Sequence, residues 1–228
     1  MKKAYKILQT HENQIINFKD YGANSSRTRS VTIGVRRDLI DKVHPLDLFP
    51  DKEEPKTLIE VIGNLSSLNE MGEIDPSDIY YHFKPYREDM RAWIHDISEG
   101  ESAFDNEDIN KRPHKIVDGE IVVHNNKHGD KYTRQCWDKV GPCVHTYMAN
   151  LASQNTVHPV DDRVFSIREL LLLMNIPNNF KWSELSEEEL NNLPLEEKQQ
   201  FLKENEANIR ECIDNWKKIS KKGQTRLI

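Results

Sequence analysis

The fold class predicted by these 228 residues is α+β: an irregular, loop-rich chain of short strands and short helices, with a helical C-terminal segment. Three observations predict it. The β-rich runs are brief and separated by turn residues, and the apolar helices are brief and individually capped. Hydrophobic residues make up 36% against 31% charged, which is polar for a compact enzyme but enough for a core at this length. Charge is also segregated along the chain. Counting only Lys and Arg, Lys111 to Lys139 holds seven cations against four acids, a balance of +3. Glu184 to Glu211 holds nine Glu against Lys198, Lys203 and Arg210, a balance of −6. Averaged over the chain, the net charge of −6 argues against a nucleic-acid binder, but the segregation makes the average misleading. A basic middle and an acidic C-terminal helix are compatible with one nucleic-acid face and one solvated face.

The elements follow in order. Tyr5 to Leu8 and Ile15 to Phe18 read as extended, and Asp20-Tyr21-Gly22-Ala23 as a turn. Ser30 to Val35 is β-branched and reads as one buried strand with arginines at both ends. Pro45, Pro50 and Pro55 mark a loop. Thr57 to Gly63 reads as a short helix, capped by Thr57 and stopped by Gly63. From Ser66 to about Lys115 the chain is polar, apart from a helix over Tyr86 to Ile97 whose Met90, Trp93, Ile94 and Ile97 share a face. Ile116 to Val123 reads as a hairpin because its Asp118-Gly119 pair suits a type I′ turn. Ser166 is a natural N-cap for a helix over Ile167 to Asn175, and Pro177 stops it. Pro194 to about Ile213 is an amphipathic, Glu-rich helix.

Three cysteines without a C-x-x-C pair point to reduced thiols in a cytoplasm. His124, His128, Cys136, Cys143 and His145 lack the paired grammar of a structural zinc site, so no metal is expected. The N-terminal lysines precede no apolar core, and no run is long enough to span a membrane. A soluble, cytoplasmic protein is expected.

Several blocks appear in an order that resembles the C-terminal half of bacterial DNA (cytosine-5) methyltransferases. Asp20-Tyr21-Gly22, then Arg27-Thr28-Arg29 and the strand after them, resemble the family's "dYGvpQxRxR" block, with Ser25 where Gln is usual. "TLIEVIGNL", Thr57 to Leu65, is similar to the element leading into the variable recognition region. "DRVFSIRELLLLMNIPNNF", Asp162 to Phe180, is close to "xRxLTxREaaRLQxFPdxF", and "RQCWDKVGPCVHT", Arg134 to Thr146, resembles the segment leading to it. The likeness covers roughly residues 1 to 213 and is specific as a set.

The resemblance implies three parts. Residues 1–42 would be terminal strands of a Rossmann-like catalytic sheet with the arginine block. Residues 43–180 would be a target-recognition domain with its scaffold helix, and 181–228 a C-terminal helical segment with a divergent tail. Family members flip the target cytosine into a pocket. There Arg27 and Arg29 would act catalytically, Arg29 donating to the cytosine O2 as a nucleophile adds to C6. Arg163, Arg168 and Glu169 would be structural. Asn125, Asn126, Lys127, Lys131, Arg134, Asn150, Gln154 and Asn155 are the candidates for reading double-stranded DNA.

The family's Pro-Cys-Gln nucleophile and Glu-Asn-Val motif are absent, and Pro142-Cys143-Val144 lies too late in the order to serve. No Asp/Glu-x-Phe-x-Gly-x-Gly loop is present, so no cofactor is expected on this chain. S-adenosyl-L-methionine is implied for the complete enzyme, together with a separate catalytic subunit. Asn208 to Ile213 follows the family's closing pattern and then breaks at Asp214. The alternative is therefore a truncated or frameshifted remnant that at most binds DNA. The acidic net charge argues against a stand-alone DNA-binding regulator.

Overall fold

The computed structural model describes residues 4–7, 15–126, 129–177, 180 and 182–205. Two compact units emerge, one of residues 1–73 with 81–178 and one of 74–80 with 179–228. Residues 1–42 therefore share a unit with most of the segment expected to be the recognition domain. The architecture is mixed α and β with short elements throughout.

The first unit opens with two antiparallel ladders. β1 (Tyr5–Ile7) pairs with β4 (Gly34–Arg36), placing Lys6 opposite Val35. β2 (Ile15–Asn17) pairs with β3 (Thr28–Ser30), placing Ile16 opposite Arg29. The single buried strand expected over Ser30 to Val35 is thus two short strands in two separate sheets. Within that run only Val35 is buried. β-branched residues supply propensity, but burying a strand requires a second layer, and a two-stranded ladder leaves most of its side chains in solvent.

α1 (Leu58–Ile62) forms as expected, with Thr57 and Glu60 in a capping box. Its first amides are satisfied by a distant loop: Leu58 N–H donates to Lys139 O at 2.7 Å and Ile59 N–H to Trp137 O at 3.2 Å. α2 spans only Arg91–His95, preceded by a tight turn over Glu88–Met90, so it is shorter than the expected 86–97. Its end is set by a side chain, because Arg134 takes the carbonyls of Ile94 and Ile97. β7 (His114–Val117) and β8 (Glu120–Val123) form the expected hairpin. Asp118 and Gly119 both have positive φ, 52° and 86°, as a type I′ turn requires.

α3 (Ile167–Leu173) is capped by Ser166, whose hydroxyl accepts from Glu169 N–H while the Glu169 carboxylate accepts from Ser166 N–H. It ends two residues earlier than expected. Two apolar clusters fill this unit. The larger holds Trp93, Ile94, Tyr132, Leu151, Val157 and Val164 among others, and the smaller joins Leu58 and Ile62 of α1 to Leu170 and Leu173 of α3. Gly141 sits where there is no room for a side chain: a Cβ there would lie 2.4 Å from the Leu173 side chain and 3.0 Å from Asn24 O.

In the second unit, β5 (Ile74–Asp75) pairs with β6 (Asp78–His82), whose residues from Tyr81 onward belong to the first unit. α4 (Glu187–Asn191) and a helix over residues 195–205 complete its described part. The expected helix to Ile213 and the break at Asp214 lie outside the described residues. Asn191 accepts from Ile79 N–H at 2.7 Å, and Lys198 donates to Pro76 O at 2.8 Å. Among the described residues, no helix is long and apolar enough to cross a membrane.

Candidate nucleic-acid interface

Arg27 and Arg29 flank the start of β3. Arg27 is half-buried and Arg29 exposed. The segment is fixed through its backbone: Arg27 N–H donates to the Asn17 side chain at 2.9 Å, Phe18 N–H to Arg27 O at 3.0 Å, and Ser26 N–H to Gly141 O at 2.8 Å. The guanidinium of Arg29 donates to Thr28 O at 2.7 Å. Among the described residues no carboxylate forms a salt bridge with either arginine. The backbone is therefore anchored, while Arg27 is half-buried and Arg29 exposed.

Arg134 and Arg163 are the opposite case. Arg134 was expected among the base-reading side chains, but it is 4% exposed and wholly engaged by the protein. Its guanidinium donates to Ile94 O, Ile97 O, His158 O, Val160 O, Asp161 O and the Asp162 carboxylate. A fork of donors that closes this many carbonyls has none left for a base edge. Arg163 is fully buried and pairs with both oxygens of Glu169 at 2.8 and 2.9 Å, with Asp161 at 2.9 Å. Burial opposes its charge, yet Glu169 and Asp161 hold the guanidinium protonated. Burial likewise pushes the Glu169 carboxyl up, but Arg163, His158 and the Ser166 amide together hold it below its ordinary range. Arg168 is buried as well.

His158 lies inside this network. Its Nδ1 accepts from Val160 N–H at 3.3 Å and Asp161 N–H at 3.0 Å, so the ring proton sits on Nε2, 3.4 Å from Glu169. Burial lowers its pKa to about 4 and keeps it neutral. Trp137 and Phe165 pack edge-on against it.

The remaining DNA-reading candidates divide. Lys131, Asn150 and Gln154 line one open groove of about 310 Å³ with Tyr147, Ala152 and Ser153. Tyr147 is 69% exposed there, and no motif in the sequence pointed to it. Gln154 donates to both oxygens of Asp130 at 3.0 Å, which fixes one wall. Asn155 has a positive φ of 54° and accepts from the Gln135 side chain at 3.4 Å, a turn role. Asn125 is exposed, and Asn126 accepts from Gly129 N–H at 3.1 Å; neither lines the groove. Lys127 lies outside the described residues, as does His128.

Cys136 and Cys143 are free thiols. Among the described residues, Glu99, Cys136 and Asp138 bring ligand-type atoms within 4.8 Å of one another. Burial and the two carboxylates push the Cys136 thiol up, away from the thiolate a metal needs, and Glu99 already accepts from Trp137 N–H.

A family model for C-5 cytosine-specific DNA methylases matches residues 6–194. The chain belongs to this family. The type II methylase M.HgiDII of Herpetosiphon aurantiacus is 26% identical over 171 residues, 75% of this chain and 46% of the relative. The chain thus spans about half the length of the curated relative it matches. A crystal structure described as a DNA modification methyltransferase encoded within an E. coli prophage aligns with a TM-score of 0.48 at 15% identity, covering 76% of this chain and 51% of that one. The methylase match takes in Arg27, Arg29, the groove and the buried arginine network.

The methyl donor of such enzymes, S-adenosylmethionine, does not fit the acidic cavity lined by residues 96–111. That cavity, about 450 Å³, is open and lined by five carboxylates, Asp96, Glu101, Asp105, Glu107 and Asp108, with Lys111 already paired to Asp96. None of its lining residues is a glycine.

Proposed function

We propose that this chain is the target-recognition part of a DNA cytosine-5 methyltransferase of the restriction-modification kind. It corresponds to the C-terminal half of the family, with residues 1–42 as terminal strands of a Rossmann-like sheet. Its nucleophile and cofactor site come from outside these 228 residues, on a complementing catalytic chain. The observation that carries the reading is the contrast among arginines. Arg134 and Arg163 are closed off by the fold, while half-buried Arg27 and exposed Arg29 form no salt bridge among the described residues and flank an anchored strand start within the family's arginine block.

The chemistry follows from that placement. The groove of Lys131, Asn150 and Gln154, with Tyr147 at its edge, meets the duplex: Lys131 toward phosphate, the amides toward base edges. Arg29 meets the extruded cytosine and donates to its O2. Negative charge grows on the ring as the nucleophile adds to C6, and a fixed cationic donor stabilises it more than it stabilises the resting base. Arg163, Arg168 and Glu169 hold the scaffold that carries both surfaces.

The test is methyl transfer from labelled S-adenosylmethionine to duplex DNA, with this chain alone and with a chain carrying Pro-Cys-Gln and Glu-Asn-Val. The chain alone should transfer nothing. In the complemented enzyme, Arg29→Ala should lower turnover by about 10²–10³ with little change in duplex affinity. Transfer by the isolated chain, or equal losses of affinity and turnover, would overturn the reading.

A further inference from the structure

We infer that Asn175 is a positioning residue: a two-point clamp at the end of α3 that sets the loop carrying the Arg27 and Arg29 strand. This rests on the functional reading above. The geometry begins with the helix terminus. α3 closes with a Schellman motif, in which Asn175 N–H donates to Leu172 O at 3.1 Å and Ile176 N–H to Leu171 O at 3.0 Å. Asn175 occupies the left-handed position, with φ of 55°. Glycine is the usual choice there because it has no Cβ to strain. Asparagine tolerates the conformation and brings a side chain that glycine lacks.

That side chain reaches across the fold. Asn175 Oδ1 accepts from Asn24 N–H at 2.8 Å, and Asn175 Nδ2 donates to Gly22 O at 3.0 Å. Asn24 answers by donating from Nδ2 to Leu172 O at 2.8 Å. Three hydrogen bonds thus join residues 22–24 to the helix end across about 150 positions of sequence. Asn24 Oδ1 is buried with no partner among the described residues, so the donor end of this amide fixes its orientation. Two residues on, Ser26 N–H is held by Gly141 O, and Arg27 follows directly. The arginine strand is therefore seated on α3, the helix whose first turn carries Glu169, the partner of the buried Arg163. A hydrogen-bonded amide at both ends of a short loop fixes where the strand emerges, and with it where Arg29 points.

Glycine at position 175 separates the clamp from the helix stop. Asn175→Gly keeps the left-handed backbone and removes both side-chain bonds. The experiment uses the full chain and two duplexes: one fully paired, one with a cytosine opposite an abasic site, whose base leaves the stack easily. The preference for the second duplex reports the arginine strand in place. Arg29→Ala should abolish that preference. Asn175→Gly should reduce it about tenfold, as expected for two lost hydrogen bonds, with paired-duplex affinity and melting temperature near wild type. Asn175→Asp keeps the acceptor for Asn24 N–H and should recover part of the loss. In parallel, hydrogen exchange at the Asn24 and Ser26 amides should accelerate in Asn175→Gly while the Glu169 amide stays protected.

The outcomes are distinguishable. If Arg29→Ala abolishes the preference and Asn175→Gly leaves it intact, the clamp is wrong and the functional reading stands. If Arg29→Ala changes nothing, the functional reading fails. The exchange data then decide the clamp alone: unchanged protection at Asn24 and Ser26 overturns it.

Discussion

The arginines of this chain fall into two groups that differ in what surrounds them. Arg163 meets Asp161 and Glu169 in a site closed to water, and Arg134 meets five carbonyls and Asp162. Arg27, half-buried, and Arg29, exposed, flank the start of β3 and form no salt bridge with a carboxylate among the described residues. The same side chain therefore serves two ends. In the interior its five donors stitch together segments that lack regular structure. On β3 the backbone is fixed and the charge left available. An irregular domain with short helices needs the first use, because few of its loop carbonyls find ladder partners. Substitutions should separate the two groups cleanly.

The largest effect belongs to Arg163. Arg163→Met leaves Asp161 and Glu169 buried without their cation, a loss of about 3–5 kcal/mol. Urea unfolding should show that loss, or no folded protein at all. Arg27→Met, at an open position, should stay within about 0.5 kcal/mol of wild type. The double variant Arg163→Met with Glu169→Leu should recover only part of the loss, since it removes one orphaned carboxylate while Asp161 stays buried without its cation and the Ser166 N–H loses its acceptor. Similar destabilisation at positions 163 and 27 would erase the distinction.

A smaller effect sharpens the comparison through pH. His158 faces Glu169, Asp161, Arg163 and Arg134, and burial lowers its pKa from 6.5 to about 4. Below pH 6.5 the unfolded chain binds the proton and the folded chain does not, so stability falls with pH. The loss is on the order of 3 kcal/mol between pH 6.5 and 4. Asp161 and Glu169, both held below their ordinary range, contribute stability that is present above that range and lost as pH falls through their lowered values. His158→Asn keeps an acceptor for the Val160 and Asp161 amides and does not titrate. Its unfolding free energy should be flat from pH 7.5 to 5.5, where wild type already declines. A wild-type profile without slope in that range would mean the imidazole is not sealed in.

Local signals were legible in the sequence where a few neighbouring residues decide the structure. Thr57 with Glu60, Asp118 with Gly119 and Ser166 with Glu169 each specify a cap or turn by themselves. The β-branched run at 30–35 misled, since propensity says nothing about whether a second layer exists. Arg134 misled for a related reason. Its position in a basic segment suggested DNA, while the carbonyls that absorb it come from residues 94–97 and 158–161, far away in sequence. Tyr147 carries no motif, and Asn175 lies in the Asp162–Phe180 block at a position the pattern leaves unspecified. A left-handed asparagine and an exposed tyrosine gain meaning only when the fold shows what they face.

The smallest effect concerns Lys131, which shares the basic segment with Arg134 but lines the groove. Among the described residues it supplies the only cation of that lining, and the segment from Lys111 to Lys139 balances at +3 with the buried Arg134 counted and at +2 without it. Electrostatic attraction to duplex DNA should therefore be shallow, with a log–log salt slope reflecting about two phosphates. Lys131→Ala should reduce that slope by about 0.9 and weaken all sequences alike, because a phosphate contact carries no base information. Asn150→Ala should leave the slope alone and narrow the difference between preferred and random duplexes. Arg134→Lys should change the salt slope only by failing to fold, since a lysine cannot close the carbonyls that the guanidinium closes. Filter binding at several salt concentrations, with unfolding measured on the same samples, tells these apart. If a well-folded Arg134→Lys lost DNA binding while Lys131→Ala kept its slope, their roles would be exchanged, and the groove would not be the surface that meets the duplex.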